Sequence, residues 1–374
     1  MPPCEKLAFA DLHREPFRLF FPAATLAGLC GVSLWIPLLL GWTNDYPGTP
    51  HARVMVQGFL AGFIFGFLGT SLPRLLEVPA LTAREVFPLL AVFAGNVGAQ
   101  LAGATALGDG LFAAELAAWF LVLKGRCHAK RDLPPPSFVL VGLSFGCGLA
   151  GTMLFLAGRR GELSAELELQ AKLLGDHAFV LLCVLGAGGF LLPRFLGLGV
   201  RRKFPASTTP TPDWLQTARV AGGAGLLIVL TYGLEAFGWP RSAVTLRAAL
   251  IVGYLWHELP LEQLRWTWNG VQWLLVSGLV CLPLGVLASG WLPGWRVALA
   301  HIELLSGFGL ITLGVATRVV FGHSGERTQL ERFHSPLTIA AVLLLLALLN
   351  RLTGDLVPST MASHYLYAAL CWLG

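Results

Sequence analysis

Three histidines recur along the chain at nearly constant spacing: His51, His177 and His301, separated by 126 and 124 residues. Imidazole is the commonest protein metal ligand and changes charge near neutral pH. Met55 follows His51 by four residues, so a helix places both on one face. That donor pair suits a haem iron or a copper ion. Acidic groups stand beside the other two, Asp176 before His177 and Glu303 after His301. Glu115 falls in the middle of an apolar stretch. A carboxyl there faces a bundle interior, either on a proton or ion path or in a structural hydrogen bond. The chain has seven scattered cysteines and no C-x-x-C pair, which leaves a disulfide framework, a zinc ribbon and covalent c-type haem without support.

The elements that position these residues are membrane helices. The chain has 374 residues, 55% of them hydrophobic and only 13% charged, with a mean hydropathy of +0.68. Lipid is the solvent such a composition requires, and about 20 apolar residues make one crossing. Spans are predicted near 17–40, 51–72, 86–106, 109–124, 137–157, 174–192, 216–238, 243–258, 270–289, 296–319, 335–353 and 358–373. The fold class is therefore all-α and integral to the membrane, with about twelve helices in a single polytopic domain. The first apolar run, from Phe17, reads as a retained anchor rather than a cleavable leader. The segment 201–215, rich in Pro and Thr, is the longest connection.

Basic residues sort by side. The loops after even-numbered spans carry Arg74 and Arg84, Lys124 to Arg131, Arg194 to Lys203, Arg265, and Arg318 to Arg332. The opposite loops carry fewer, and the bias places both termini in the cytoplasm. Basic residues spread over short loops do not make a nucleic-acid surface. On this topology His13, His128, His257, His323 and His334 fall on the cytoplasmic side, most of them as solvated loop residues, and His364 is a weaker ligand candidate.

His51, His177 and His301 lie four helices apart each time. Arg74, Arg194 and Arg318 follow at the far ends of the same helices. Gly69-Thr-Ser-Leu-Pro-Arg74 also matches Gly189-Phe-Leu-Leu-Pro-Arg194. The pattern predicts three four-helix repeats (17–124, 137–258 and 270–373) about an axis along the membrane normal, with the three histidines at similar depth. No interrupted helices stand out at corresponding positions, which counts against a midplane transport site.

Several motifs resemble the NnrS family, spread in order over most of the chain. They are Pro16-Phe17-Arg18-Leu19-Phe20-Phe21, His51-Ala-Arg-Val-Met55-Val-Gln-Gly58-Phe59, Gly188-Gly189-Phe-Leu-Leu-Pro193-Arg194-Phe195, and His301 with Thr317-Arg318 and Gly322-His323-Ser324-Gly325. The chain departs from that pattern where the second histidine of the helix-two motif is Arg53, its glutamate is Val54 and the arginine after Gly188-Gly189 is Phe190. A histidine of the ninth helix is replaced near Trp268 and Asn269. The resemblance implies a haem- and copper-associated inner-membrane protein acting in nitrosative stress, with a small gaseous or nitrosyl ligand. By fold-level analogy to the haem–copper oxidases, His51 and His301 would be axial ligands of one b-type haem and His177 a second, copper-like position. Arg318 and His323 join the candidates through the closing motif. The competing reading is a transporter of a metal or small anion without haem.

Overall fold

The computed structural model describes residues 9–158, 161, 163–265, 270–324 and 335–374. The helical rods are α1 (Phe17–Leu39), α2 (Gly48–Leu75), α3 (Ala83–Leu101), α4 (Thr105–His128), α5 (Pro136–Gly158) and α6 (Ala165–Phe195), followed by α7 (Pro212–Ala236), α8 (Pro240–Glu258), α9 (Gly270–Trp291), α10 (Pro293–Ser324), α11 (Ser335–Leu356) and α12 (Met361–Leu373). No strand occurs among the described residues. Among the described residues, nine rods are long and apolar enough to cross a membrane. The exceptions are α3, α8, which carries Arg241 and Arg247, and α12, which has only 13 residues. The boundary expected near 107 falls earlier. Gly103 takes φ +73°, the left-handed conformation that stops a helix, and α4 restarts at Thr105.

Backbone hydrogen bonds must be met inside each rod in lipid, which is why the described apolar segments are helical. Large apolar side chains such as Leu26, Leu226, Leu230, Trp256 and Leu349 point outward, where lipid covers them. An aromatic core fills the inside: Trp119 stacks on Phe65 at 5.3 Å, and Phe20 meets Phe65, Phe93 and Trp119 edge-on.

Three rods are irregular, and at corresponding places. π-helical turns run over Val54–Leu60 in α2, Leu173–Ala178 in α6 and Ile302–Gly309 in α10. This corrects the expectation of uninterrupted helices. A π turn breaks the regular ladder and is enriched at functional sites. Each turn starts within a few residues of His51, His177 or His301.

Each irregular rod packs on the rod before it through glycine. Gly28 of α1 meets Phe59, and Gly66 of α2 meets Phe20 and Phe21. In the next pair Gly148 meets Phe179, and Gly186 meets Leu140 and Val141. Every member of the second set lies 120 residues after its counterpart. The rod ends agree as well. Glu77 (φ +54°) and Gly197 (φ +69°) hold the same left-handed position. Beyond them, Val78 N–H donates to Pro73 O at 3.0 Å and Leu198 N–H to Pro193 O at 2.7 Å. In the third pair, Gly285 approaches the Glu303 backbone as Gly151 approaches that of Gly175. There Gly307 accepts Leu282 where Gly148 accepts Phe179, so the glycine has changed sides and the close contact is kept.

Two stability predictions follow from these contacts. A Cβ at Gly151 or Gly285 would strike backbone nitrogen, which cannot yield as a side chain can. Gly151→Ala or Gly285→Ala is expected to cost about 1–3 kcal/mol, read as a lowered thermal midpoint in detergent, whereas Gly146→Ala, facing open space, is neutral. Glu77 occupies a conformation that costs an L-residue roughly 1 kcal/mol. Glu77→Gly is expected to raise the midpoint by about that amount, and an unchanged or lower midpoint would refute the strain.

Candidate functional site

The π turns bring together a polar layer away from the basic end of the bundle. His51 anchors Nδ1 on the Gly31 carbonyl of α1 at 3.0 Å. His301 anchors Nδ1 on the Val297 carbonyl at 2.7 Å. A ring nitrogen donating to a carbonyl fixes the tautomer and leaves Nε2 with its lone pair available, the usual state of a ligating imidazole. His301 lies within electrostatic reach of both His51 and His177. His177 differs: its Nδ1 meets Glu303 Oε2 at 3.1 Å, tying α6 to α10.

The glycine contacts also set relative levels. Pairing Gly175 with Glu303 and Phe179 with Gly307 places α10 residues 128 positions after α6. On that register His301 stands opposite Arg53, roughly 3 Å along the axis from the level of His51. His177 lies about four residues further in, opposite Gln57. On that offset His301 is displaced from His51 by two residues and His177 by six. Arg318 likewise falls out of register with Arg194, and its guanidinium lies 5.5 Å from the Phe195 ring centroid. Met55 packs with its sulfur against Gly31, on the α1 side that also holds His51.

Arg53, which stands at the family's second histidine, is the hub of a buried network. Its Nε donates to Asp109 Oδ1 at 2.9 Å, its Nη1 lies 3.5 Å from Asp176 Oδ1, and its guanidinium covers Phe155 at 3.4 Å. Gln57 and Gln100 also donate to Asp109 Oδ1, at 2.9 and 3.2 Å. Arg53–Asp176 thus joins α2 to α6 as His177–Glu303 joins α6 to α10. Further round, Glu235 of α7 takes Arg247 of α8 at 2.7 Å and also Arg296 of α10. Sequence reasoning picked out Glu115 and missed Asp109, Glu235 and Arg247, although the signal was the same: an ionisable residue inside an apolar helix. Glu115 itself is wholly buried in α4, one turn from Trp119, and joins neither the network nor the histidine layer through a hydrogen bond.

Val54, the family's glutamate position, packs on Gly31. Phe190, its arginine position, supports the Arg194 guanidinium at 3.7 Å. Trp268, Asn269 and His334 lie outside the described residues.

His323 is no solvated loop residue. It is half-buried, 4.8 Å from the Phe17 ring, hydrogen-bonded to Arg74 and 3.9 Å from Glu15. Glu15 also binds Arg18 at 2.5 Å and Arg74. The first and last motifs of the sequence thus meet at the basic end. His257 is likewise tied down, between Arg202 and Glu258. Burial by itself would raise the Glu15 pKa, but the hydrogen bond and charge of Arg18, the charge at His323 and the hydrogen bond of Arg74 prevail and hold it below the usual carboxylate range. Because the folded value is the lower one, this contribution is complete above about pH 5 and disappears as pH falls through the folded value. Wild type is expected to lose midpoint faster than Glu15→Gln on acidification from about pH 5 to 3; parallel curves would refute the linkage.

Two cavities are described, one apolar among α1, α2, α6 and α10 and one basic, and neither is lined by His51, His177 or His301. Among the described residues no three His, Cys, Asp or Glu side chains come together as a metal site.

Apolar rods with outward-facing leucines, around a buried layer of paired ions and anchored imidazoles, define a polytopic helical membrane protein. The family model described as NnrS protein matches residues 11–374, essentially the whole chain, and the protein belongs to the NnrS family. No curated protein matches it significantly.

Proposed function

We propose that this protein is a haem-b-binding inner-membrane protein of nitrosative-stress handling, in which His51 and His301 would hold the haem through Nε2, with both termini in the cytoplasm. All twelve rods would cross the membrane, as three four-helix repeats. The observation that carries the haem reading is the pair of carbonyl-anchored imidazoles, His51 and His301, near one level on rods with matching π turns. Two axial donors suffice for haem, so the lack of a three-ligand cluster does not bear on it. When bound, haem supplies the redox and gas-binding chemistry, while the protein sets ligation, polarity and access. Arg53, Asp109 and Asp176 hold α2 and α6 in position beside the histidines. A copper ion at His177 would have His177 and Glu303 as donors. The test is a reduced-minus-oxidised spectrum with metal analysis on the detergent-purified full chain. A low-spin b-type spectrum lost in His51→Ala and His301→Ala supports the reading, and a colourless protein from haem-replete cells overturns it.

One observation favours transport as a second reading: the π turns at corresponding places in α2, α6 and α10, linked by ion pairs that a rearrangement would exchange. Metal or anion flux into proteoliposomes, abolished by Asp176→Asn without any haem present, would select it.

A further inference from the structure

The basic end of the bundle holds a cavity of about 480 Å³, the size of a small-molecule site. Its walls come from the end of α6, the start of α5, Trp214 of α7 and His257 of α8, and the connection 200–207 forms its roof. That roof is pinned. Ser207 N–H donates to Asp132 Oδ1 at 3.0 Å, Gly199 N–H to Gln263 Oε1 at 3.1 Å, and Arg201 binds Glu262 at 2.8 Å. The Trp214 indole donates to Pro134 O at 3.0 Å and closes the side.

The charge around its mouth, where the cations reach solvent, is unbalanced. Arg194, Arg201, Arg202 and Lys203 face two lining carboxylates, Asp132 and Glu258. Asp132 is occupied by the backbone N–H groups of Leu133 and Ser207, Glu258 by His257, and Arg201 by Glu262. Among the described residues no ion pair engages Arg194, Arg202 or Lys203. Two of them are nonetheless held in place: Arg194 flat on Phe190, and Arg202 by Thr217 Oγ1 at 2.9 Å and His257 at 3.3 Å. Fixed guanidinium groups with unspent donors suit tetrahedral oxyanions, and the remaining wall of prolines, Phe204 and Trp214 suits an apolar body.

We propose that this cavity binds a phosphate group carried on a partly apolar molecule, with Arg194, Arg202 and Lys203 as its contacts. A phospholipid headgroup and a soluble phosphate ester share that chemistry, and basic pockets between membrane helices take such headgroups. The site is independent of the histidine layer and stands or falls apart from the haem reading.

The full chain is placed in nanodiscs of phosphatidylcholine alone, or with phosphatidylglycerol, and its thermal midpoint is followed. In phosphatidylcholine discs it is also titrated with inorganic pyrophosphate. A midpoint raised by phosphatidylglycerol only assigns the lipid source; a saturable rise with pyrophosphate assigns the soluble one. In either arm Arg194→Gln/Lys203→Gln is expected to weaken the response at least tenfold, while Arg84→Gln, exposed at the same end, keeps it. Should the double variant not fold, Lys203→Gln alone is expected to weaken it by several-fold. No response in either arm, or equal responses in wild type and variant, overturns the proposal and leaves these cations as topology signals only.

Discussion

His301→Ala and His51→Ala are each expected to strip the purified protein of its low-spin b-haem absorption. The loss should be large. Perturbing only the group that orients a metal ligand costs about 10–100-fold in affinity, and here the ligand atom itself is removed. Haem content, measured per chain on the same sample, should fall at least about tenfold. Two companions separate ligation from folding. His301→Met keeps an axial donor, so haem should remain bound with its reduction potential raised. His177→Ala removes an imidazole that lies further in and is committed to Glu303, so the spectrum should survive. Retention of full haem content in both alanine variants, or its loss in His177→Ala alone, would move the ligand assignment elsewhere.

Asp109→Leu is expected to be the most destabilising single change in the polar layer. Asp109 is wholly buried and accepts from Arg53, Gln57 and Gln100. Its removal strands the Gln57 amide, leaves Gln100 only its bond to Gln57 Oε1, and leaves the Arg53 charge with only the longer contact to Asp176. Breaking one side of a buried pair costs about 3–5 kcal/mol, whereas replacing both partners by apolar groups is far milder. Arg53→Met/Asp109→Leu should therefore recover much of the thermal midpoint lost in Asp109→Leu. If the double variant is as unstable as the sum of the singles, the pair does not act as a unit.

Two positions at which the resemblance departs from the family motif are engaged with neighbours. Arg53 in place of histidine is matched by Asp109 and Asp176, and Phe190 in place of arginine supports Arg194.

The sequence determined the class of protein by itself. Apolar runs of about 20 residues and low charge leave the backbone no option in lipid except helices, and the spans were legible to within a few residues. The exceptions were the start of α6, which lies at Ala165 rather than near 174, and the α3–α4 turn, which the left-handed Gly103 moved. The likeness of α2 to α6 was also legible, in Leu72-Pro73-Arg74 and Leu192-Pro193-Arg194. What only the tertiary structure decided was register and partnership. Spacing set His51, His177 and His301 equal, but spacing counts residues along the chain. The π turns and glycine contacts set which residues meet, and His177 meets Glu303 whereas His51 and His301 are anchored on carbonyls. His323 read as a loop residue because its partners, Glu15, Phe17 and Arg74, lie at least 249 residues away in sequence. Asp109 and Arg53 are each unfavourable alone in an apolar helix. Only packing, which sets their charges 2.9 Å apart, turns two isolated costs into one tie between helices.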